Sequence, residues 1–503
     1  MKSAAECENT IGTADLGQYS SIARLGAIAG PGPTVAILQF DRRNGDDRGM
    51  ATRFETTDVV VIGAGVSGLA AARHIVRSGR SALVLDADHR VGGRLRSHHL
   101  ADGTAFDLGG QWIAAAREMP RINALLAEYG LETFHQVDSA RMDLTAHKIE
   151  NMPRLLRAEW EWFVAKLEAL AESVDEEMLS RTPDATALDA VSVEEWKRAN
   201  LDSEELKKVF DQIVRTEYTL EPKDVSMLYF LHGIKTSGGL EAMFSSDGGS
   251  HSTRVVKGLA AVAACIAEEL GHRVLLGYQV YDIIHRGDGV RVVAENAIIE
   301  AEHVIVALPP NQIQRIDFDP VLPRRRMWLM QRLEMGSVIK CFALYDKPFW
   351  RGRPVQIVDP DLIVLDHTLD ASSPDDKHYA LVAFIGGDDA VVWSDKPADE
   401  RRAEVLDGLA RVLGEEARNP IDYFDHDWLT EPFIGGGYAC YAPPGVMTSG
   451  YEELAHPIGP IHWAGTEMAS TYQGYVEGAL QAAERAATEV LDALLSETPR
   501  PSP

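Results

Sequence analysis

The sequence is poor in the features that mark metalloproteins, disulfide-stabilised proteins and membrane proteins. It has four cysteines in 503 residues, and they are scattered: Cys7, Cys265, Cys341 and Cys440. This spacing forms no metal-ligand pattern, so we expect no metal site, and unpaired cysteines are typical of a reducing compartment. No apolar run is long enough to cross a bilayer, so no membrane partner is expected.

Positive charge is also scarce. Lysine and arginine number 49 against 76 acidic residues, which gives a net charge of −27. Such a surface repels nucleic acid and anionic membranes, so neither is an expected partner. The chain length and ordinary composition allow two or three globular domains with large cores.

The two chain ends differ from the rest of the sequence. Residues 1–53 contain turn-rich and polar segments at 30–33 and 42–47, which predict a flexible extension. The start lacks the apolar segment of a secretory signal, so a cytoplasmic location is expected. One hypothesis is that Met50 is the natural start, and an intact mass matching all 503 residues would disprove it. Residues 496–503 are proline-rich and predict a disordered tail.

The most informative pattern present is a dinucleotide-binding βαβ unit. An apolar strand at residues 58–62 runs into Gly-x-Gly-x-x-Gly at 63–68, and a helical segment follows. A second apolar strand, 82–85, ends in Asp86. The glycines allow a tight turn and close approach of a pyrophosphate to the helix N-terminus, and Asp86 can accept hydrogen bonds from a ribose.

Further glycine-rich segments and alternating helices and strands follow this unit. Residues 92–94 and 109–112 can approach a flat ligand closely, and Arg94 can reach a phosphate. Residues 120–238 are mostly helical in pattern, and strands recur after 273. The pattern therefore predicts a mixed α/β fold.

These motifs, in this order, resemble those of the flavin-containing amine oxidases, most closely the monoamine oxidase branch. The likeness covers nearly all of residues 56–494. Besides the glycine-rich segments, it includes the motifs at residues 335–340, 435–438, 441–445, 464–467 and 474–479.

The resemblance implies a Rossmann-like FAD domain of the glutathione-reductase/amine-oxidase type, interleaved with a substrate domain of mixed sheet and helices. The FAD domain would comprise residues 54–131, 256–330 and 431–495, and the substrate domain 132–255 and 331–430. Homodimers are common in the family, so a homodimer is expected, although no segment identifies an interface.

The resemblance also implies the residues that contact FAD. The segment 465–467 would close over the ribityl chain, and the backbone of Val280 would contact the adenine. The implied contacts are Gly63, Ala64, Gly65, Val66, Ser67, Gly68, Asp86, Ala87, Gly93, Arg94, Gly109, Gly110, Gln111, Trp112, Val280, Gly465, Thr466, Glu467, Tyr475 and Val476. Gly437 stands where animal monoamine oxidases carry the cysteine that bonds to the flavin. Cys440 lies three residues further along, and in a strand its side chain would point to the opposite face from that of residue 437. We therefore expect non-covalent FAD.

Three residues match the catalytic positions of the family. Lys340 matches the lysine that holds a water against flavin N5, and Tyr438 and Tyr475 match the two tyrosines that flank the substrate amine. Two aromatic faces can exclude water and align the nitrogen lone pair. Gln111 and Phe244 are the further substrate-binding positions, Phe244 as a tunnel gate.

The expected activity is oxidation of a primary amine, with O2 as acceptor, to an aldehyde, ammonia and hydrogen peroxide. The same chemistry on a polyamine would need a second acidic group in the tunnel, and on an L-amino acid an arginine for the carboxylate. Arg215, Arg254 and Glu241 are candidates for these roles. A carbon–carbon desaturase and a redox-silent FAD-binding protein are the remaining alternatives.

Overall fold

The computed structural model describes two N-terminal strands and most of the chain after them. The strands Arg24–Ala27 and Ala36–Gln39 pair antiparallel. Description then runs over residues 53–496, except 116, 137–152, 177, 245–248, 288 and 352–363. The segments 30–33 and 42–47, Met50 and the proline-rich tail lie outside the described residues, so the predictions for them stay predictions.

The largest sheet has eight strands and carries the dinucleotide-binding unit. Its central strand, Ala297–Val306, pairs in parallel with Arg53–Ile62 along its whole length. On the other side it pairs antiparallel with Gly289–Ala294 and then in parallel with Ile461–Trp463. The other strands are Ala82–Asp86, Val274–Leu276, Val280–Arg286 and Asp317–Asp319.

The parallel strands bring several sequence motifs to one edge of this sheet. Strands Arg53–Ile62, Ala82–Asp86 and Ile461–Trp463 all end there, because each runs in the same direction as Ala297–Val306. The glycine turn, Asp86 and Gly465 therefore follow carboxyl ends of neighbouring strands, where α/β sheets bind ligands.

The last four residues of strand Arg53–Ile62, at positions 59–62, are apolar, and both faces of this part of the strand are covered. Val59 and Val61 are fully buried against helices that include Val66–Arg77 and Val476–Ser496. Val60 and Ile62 belong to the core cluster on the opposite face. The continuous apolar run is thus that of a central parallel strand.

A second sheet has four antiparallel strands and positions the catalytic lysine candidate. Their order is His367–Asp370, Tyr379–Gly386, Val338–Tyr345 and Asp422–Asp427. Ile339 and Cys341 pack into a cluster with helix Ala398–Leu413, and Val338 and Phe342 into a cluster on the other face. Lys340 shares the register of Val338 and Phe342, because side chains alternate along a strand.

Helices and short strand pairs complete the fold. The short pairs are Ser97–His99 with Ala105–Asp107, Thr133–His135 with Thr253–Val255, and Glu334–Met335 with Cys440–Tyr441. The helices are Val66–Arg77, Pro120–Glu128, Arg154–Glu172, Ala185–Asp189, Val193–Asn200, Glu204–Tyr218, Met227–Thr236, Leu240–Phe244, Ala260–Leu270, Pro310–Ile313, Arg324–Arg332, Gly387–Ser394, Ala398–Leu413 and Val476–Ser496. Short 3-10 turns lie between them. In the described part of the chain, no helix combines the length and apolarity needed to span a membrane.

The mixed α/β class predicted from the sequence is confirmed. The mostly helical stretch at 120–238 is interrupted by the short strand Thr133–His135, which pairs with Thr253–Val255. The boundaries of the two interleaved domains stay a prediction.

Candidate active site

One cavity extends from the glycine turn of the large sheet to the buried face of the four-stranded sheet. Its wall contains these predicted residues: Gly63, Gly65, Val66, Ser67, Asp86, Ala87, Gly93, Arg94, Gly109, Gly110, Gln111, Trp112, Val280, Lys340, Tyr438, Gly465, Thr466, Tyr475 and Val476. Ala64, Gly68 and Glu467 are not among the described residues that line it. Phe244 ends a short helix, and its side chain lies outside the described residues.

The three glycines of the first motif have different physical roles. Gly63 has φ +105°, and a Cβ there would lie 2.7 Å from the Ala307 carbonyl oxygen. A Cβ on Gly68 would lie 2.0 Å from the Gly63 oxygen, so this glycine permits close packing of the helix on the turn. A Cβ on Gly65 would meet nothing within 4 Å. Gly65 therefore faces the space where a pyrophosphate would lie at the helix N-terminus.

Asp86 connects the second strand to the glycine turn. Its carboxylate accepts hydrogen bonds from the backbone N–H groups of Ala64 and, at 2.8 Å, of Asp88. Burial raises the pKa of Asp86, and these two N–H donors oppose that rise. The carboxylate both fixes the turn and lines the cavity, which suits a ribose contact.

Arg94, which lines the cavity, and Glu467 join two distant motifs. The Arg94 guanidinium donates to both carboxylate oxygens of Glu467, at 2.6 and 3.0 Å, and to the carbonyl oxygen of Tyr438 at 2.9 Å. Glu467 also accepts from the backbone N–H of Cys440 at 3.1 Å. Glu467 thus positions Arg94 and the Tyr438 loop, and its predicted contact with FAD stays a prediction.

Lys340 projects into the cavity from the central strand of the second sheet. Its Nζ donates to the carbonyl oxygen of Gly109 at 3.0 Å and to Oε1 of Gln111 at 2.7 Å. The rings of Trp112 and Phe384 each lie 5.3 Å from Nζ. Burial lowers the pKa of Lys340, and the negative charge of Asp107 only partly offsets this effect. Its ammonium group therefore releases a proton more readily than an exposed lysine does.

The two predicted cage tyrosines reach the cavity from separate segments. Tyr438 follows three glycines, and Tyr475 directly precedes helix Val476–Ser496. The Tyr475 hydroxyl donates to Oε1 of Glu217 at 2.8 Å. Burial raises the pKa of both phenols, so both side chains are neutral at physiological pH.

The residues present fit an FAD molecule in this cavity. Open space lies over Gly65, at the N-terminus of helix Val66–Arg77. The Nε2 of Gln111 is buried and has no hydrogen-bond partner among the described residues. A buried amide donor without a partner calls for an acceptor from a bound group, and a flavin ring carries several.

Sequence reasoning missed several residues at the substrate end of the cavity. Glu217, His232 and His367 all line it. Burial lowers the pKa of His232 to about 4 and that of His367 to about 3, so both imidazoles are neutral. Helical periodicity could have placed Glu217 on a buried face, because it follows Ile213 by one turn in helix Glu204–Tyr218. The histidines lie in no recognisable motif.

The structure places none of the three candidate specificity residues in the cavity wall. Arg215 pairs with Asp366, and its Nε lies 3.0 Å from the carboxylate. Arg254 donates to the carbonyl oxygens of Ser372 and Ala371. Glu241 is exposed.

Comparison with known proteins identifies a family over most of the chain. A family described as flavin containing amine oxidoreductase matches residues 66–491. A probable flavin-containing monoamine oxidase A from Dictyostelium discoideum is 33% identical, covering 87% of this chain and 98% of its own length. An L-amino acid dehydrogenase from Synechocystis sp. is 34% identical, covering 87% of this chain and 95% of its own.

Solved structures agree with this relationship. Cyclohexylamine oxidase from Brevibacterium oxydans IH-35A has a TM-score of 0.80 at 30% identity, covering 87% of this chain and 99% of its own. Wild-type putrescine oxidase bound to putrescine has a TM-score of 0.78 at 29% identity, covering 87% and 100%.

Proposed function

Because this chain belongs to the family of flavin-containing amine oxidoreductases, we propose that it is an FAD-dependent oxidase of primary amines. The reaction converts an amine, water and O2 into an aldehyde, ammonia and hydrogen peroxide. The observation that supports it most is that Lys340, Tyr438 and Tyr475 line the same cavity as the glycine turn and Asp86.

The chain's own residues supply orientation, a water-poor environment and a titratable amine. FAD, when bound, accepts the hydride equivalent removed from the carbon that bears nitrogen. Tyr438 and Tyr475 present neutral aromatic side chains that can flank the substrate nitrogen and exclude water. Lys340 offers a donor group beside Gln111, at the place where a water molecule can be held.

Non-covalent attachment of FAD is part of this proposal. Gly437 has no side chain that could bond to a flavin, and a Cβ there would lie 3.2 Å from Cγ1 of Val338. Burial raises the pKa of the Cys440 thiol, which keeps it protonated and unreactive. Acid precipitation should release all the flavin into the supernatant. Flavin that stays in the pellet of the wild-type protein would contradict the proposal.

The cavity favours amines over amino acids. Among the described residues, three arginines line it, Arg90, Arg94 and Arg315, and Arg94 is bound by Glu467. An amino-acid carboxylate near Tyr475 would instead meet the carboxylate of Glu217. Two carboxylates that share a buried site repel each other strongly.

The test is anaerobic mixing of purified protein with a panel of amines while flavin absorbance is followed. The panel contains benzylamine, tyramine, hexylamine, putrescine and an L-amino acid. Bleaching by an amine, with peroxide formed when air is readmitted, is the expected result. Reduction by the amino acid alone would favour the alternative in which an L-amino acid is the substrate. Bound flavin that no member reduces would favour a desaturase or a redox-silent protein.

A further inference from the structure

Glu217 occupies an unusual place for a carboxylate. It lies near the end of helix Glu204–Tyr218, on the face that Leu206, Phe210 and Ile213 bury in the core. Its side chain is deep in the protein but keeps accessible surface where it lines the cavity. A charged residue in such a position is rare unless a partner compensates it.

No cation compensates Glu217 within the described residues. One carboxylate oxygen accepts the Tyr475 hydroxyl at 2.8 Å, and the described residues provide no further side-chain partner and no ion pair for the carboxylate. Lys340, the lysine of the cavity wall, is held by Gly109 and Gln111 instead. As a result, burial raises the pKa of Glu217 to about 7.

Tyrosines surround Glu217: its carboxylate accepts the Tyr475 hydroxyl, and besides burial its negative charge raises the pKa of Tyr218, Tyr438 and Tyr441. Tyr218, Tyr229 and Tyr441 line the same cavity, and their rings contact one another edge to face at 5.1 to 6.0 Å. Burial raises the pKa of all three phenols, so they are neutral. A carboxylate among aromatic rings is the environment that proteins use to bind organic ammonium ions.

We propose that Glu217 is the cation-recognising residue of this site: its carboxylate, positioned by Tyr475 and surrounded by tyrosine rings, binds an alkylammonium group of the substrate. This deepens the proposed function and rests on it. The ammonium has two sources, the reacting nitrogen of a monoamine as it enters, or the distal nitrogen of a diamine. In both cases Glu217 selects cationic amines against amino acids.

A binding experiment that needs no turnover tests the proposal. Choline carries a fixed positive charge and its quaternary nitrogen has no lone pair, and 3,3-dimethylbutan-1-ol is its neutral isostere. We expect Glu217→Gln to weaken choline binding to the FAD-loaded protein about 10- to 100-fold, because it removes the negative charge that pairs with the quaternary ammonium in a partly buried site. Binding of the alcohol should change less than about twofold, since it makes no charged contact. Calorimetry measures both.

The matched control is Glu205→Gln, an exposed glutamate on the same helix. It should leave the affinity for both probes unchanged. Equal weakening of both probes by Glu217→Gln would overturn the proposal, because it would indicate a change of cavity shape. Unchanged choline binding would overturn it too, as would a wild-type protein that binds choline no better than the alcohol.

The pH dependence of choline binding provides a second measurement on the wild-type protein. Choline does not titrate, so its affinity should rise between pH 6 and pH 8 as Glu217 loses its proton. The other titratable groups near Glu217 are Tyr218, Tyr438, Tyr441 and Tyr475. Elsewhere in the cavity wall, the titratable groups among the described residues are Asp86, Asp88, Arg90, Arg94, Tyr229, His232, His251, Tyr278, Arg315, Lys340, His367 and Tyr472. Glu217→Gln should remove the part of the rise that Glu217 causes, and an undiminished rise in this variant would overturn the proposal.

Steady-state kinetics then distinguish the two sources of the ammonium. If the distal nitrogen of a diamine binds Glu217, Glu217→Gln should raise KM for 1,5-diaminopentane about 10- to 100-fold and leave KM for hexylamine nearly unchanged. If the reacting nitrogen binds there, KM for both should rise equally. Should the wild-type protein oxidise no amine of the panel, the proposed function fails, while the choline experiment still decides the role of Glu217.

Discussion

The two ends of the cavity are built in different ways. At the cofactor end, the glycine turn forms much of the surface: Gly65 leaves open space, and two backbone N–H groups hold the carboxylate of Asp86, which also lines the cavity. At the substrate end, buried side chains with shifted pKa values form it, above all Lys340 and Glu217. A backbone surface depends on short local motifs, whereas a surface of side chains depends on how distant segments pack.

The largest effect is expected from substitutions at two glycines of the turn that lie three residues apart. Gly68→Ala places a Cβ 2.0 Å from the Gly63 oxygen, so the turn must deform. We expect a loss of about 3 kcal/mol or more in the free energy of unfolding and loss of bound flavin. Gly65→Ala meets open space and should leave the apoprotein's stability unchanged but reduce flavin affinity.

Thermal unfolding of the apoproteins, together with flavin content after gel filtration, measures both glycine variants. If Gly65→Ala destabilised the apoprotein as much as Gly68→Ala, the division between a structural and a ligand-facing glycine would be wrong. Equal flavin content in the Gly65→Ala variant and the wild type would show that no ligand group approaches Gly65.

Features formed by adjacent residues could be predicted from the sequence, whereas contacts between distant segments could not. The glycine turn, Asp86 and the mixed α/β class were predictable because adjacent residues form them. The partner of Arg94 was not, because Glu467 is 373 residues away. Glu217 and Tyr475 are 258 residues apart, so their hydrogen bond follows from packing and from no local pattern.

The next largest effect concerns Lys340 at the substrate end. Lys340→Met removes a positive group from the place where negative charge develops as O2 is reduced, so we expect reoxidation to slow about 100-fold. Reduction by the amine should slow much less. Stopped-flow absorbance measures the two half-reactions separately, and equal slowing of both would contradict a role in the oxygen reaction.

The control for Lys340 is Lys347→Met, an exposed lysine just beyond the same strand. It should leave both half-reactions unchanged. Because burial lowers the pKa of Lys340, the wild-type reoxidation rate should fall as pH rises and the ammonium loses its proton. That pH dependence should be absent in Lys340→Met, whose side chain does not titrate.

A smaller effect is expected in the pH dependence of stability. Burial raises the pKa of Glu217 to about 7 from the model-peptide value of 4.5. The folded state therefore holds an extra proton between these values, and the contribution of Glu217 to stability falls as pH rises through this window. Glu217→Gln should stabilise the protein by about 2–3 kcal/mol more at pH 8 than at pH 5.

Urea unfolding with saturating FAD at both pH values measures this difference. Glu205→Gln is again the control, since an exposed glutamate has similar surroundings in both states. A Glu217→Gln variant with the same stability gain at both pH values would indicate that Glu217 is not desolvated. The claim that a buried carboxylate with a raised pKa forms part of the substrate end would then be wrong.

The smallest effect is expected at Cys440, whose backbone N–H and side-chain thiol make different contacts. Its backbone N–H donates to Glu467 and so supports Arg94, whereas its buried thiol lies 3.8 Å from Oδ1 of Asn311. Cys440→Ala keeps the backbone donor and removes only the thiol. Acid-soluble flavin should therefore equal that of the wild type, and catalytic rates should be unchanged. If the variant instead released more flavin than the wild type, part of the flavin in the wild type would be bonded covalently to the thiol. Cofactor binding at that end of the cavity would then depend on a side chain as well as on the glycine turn.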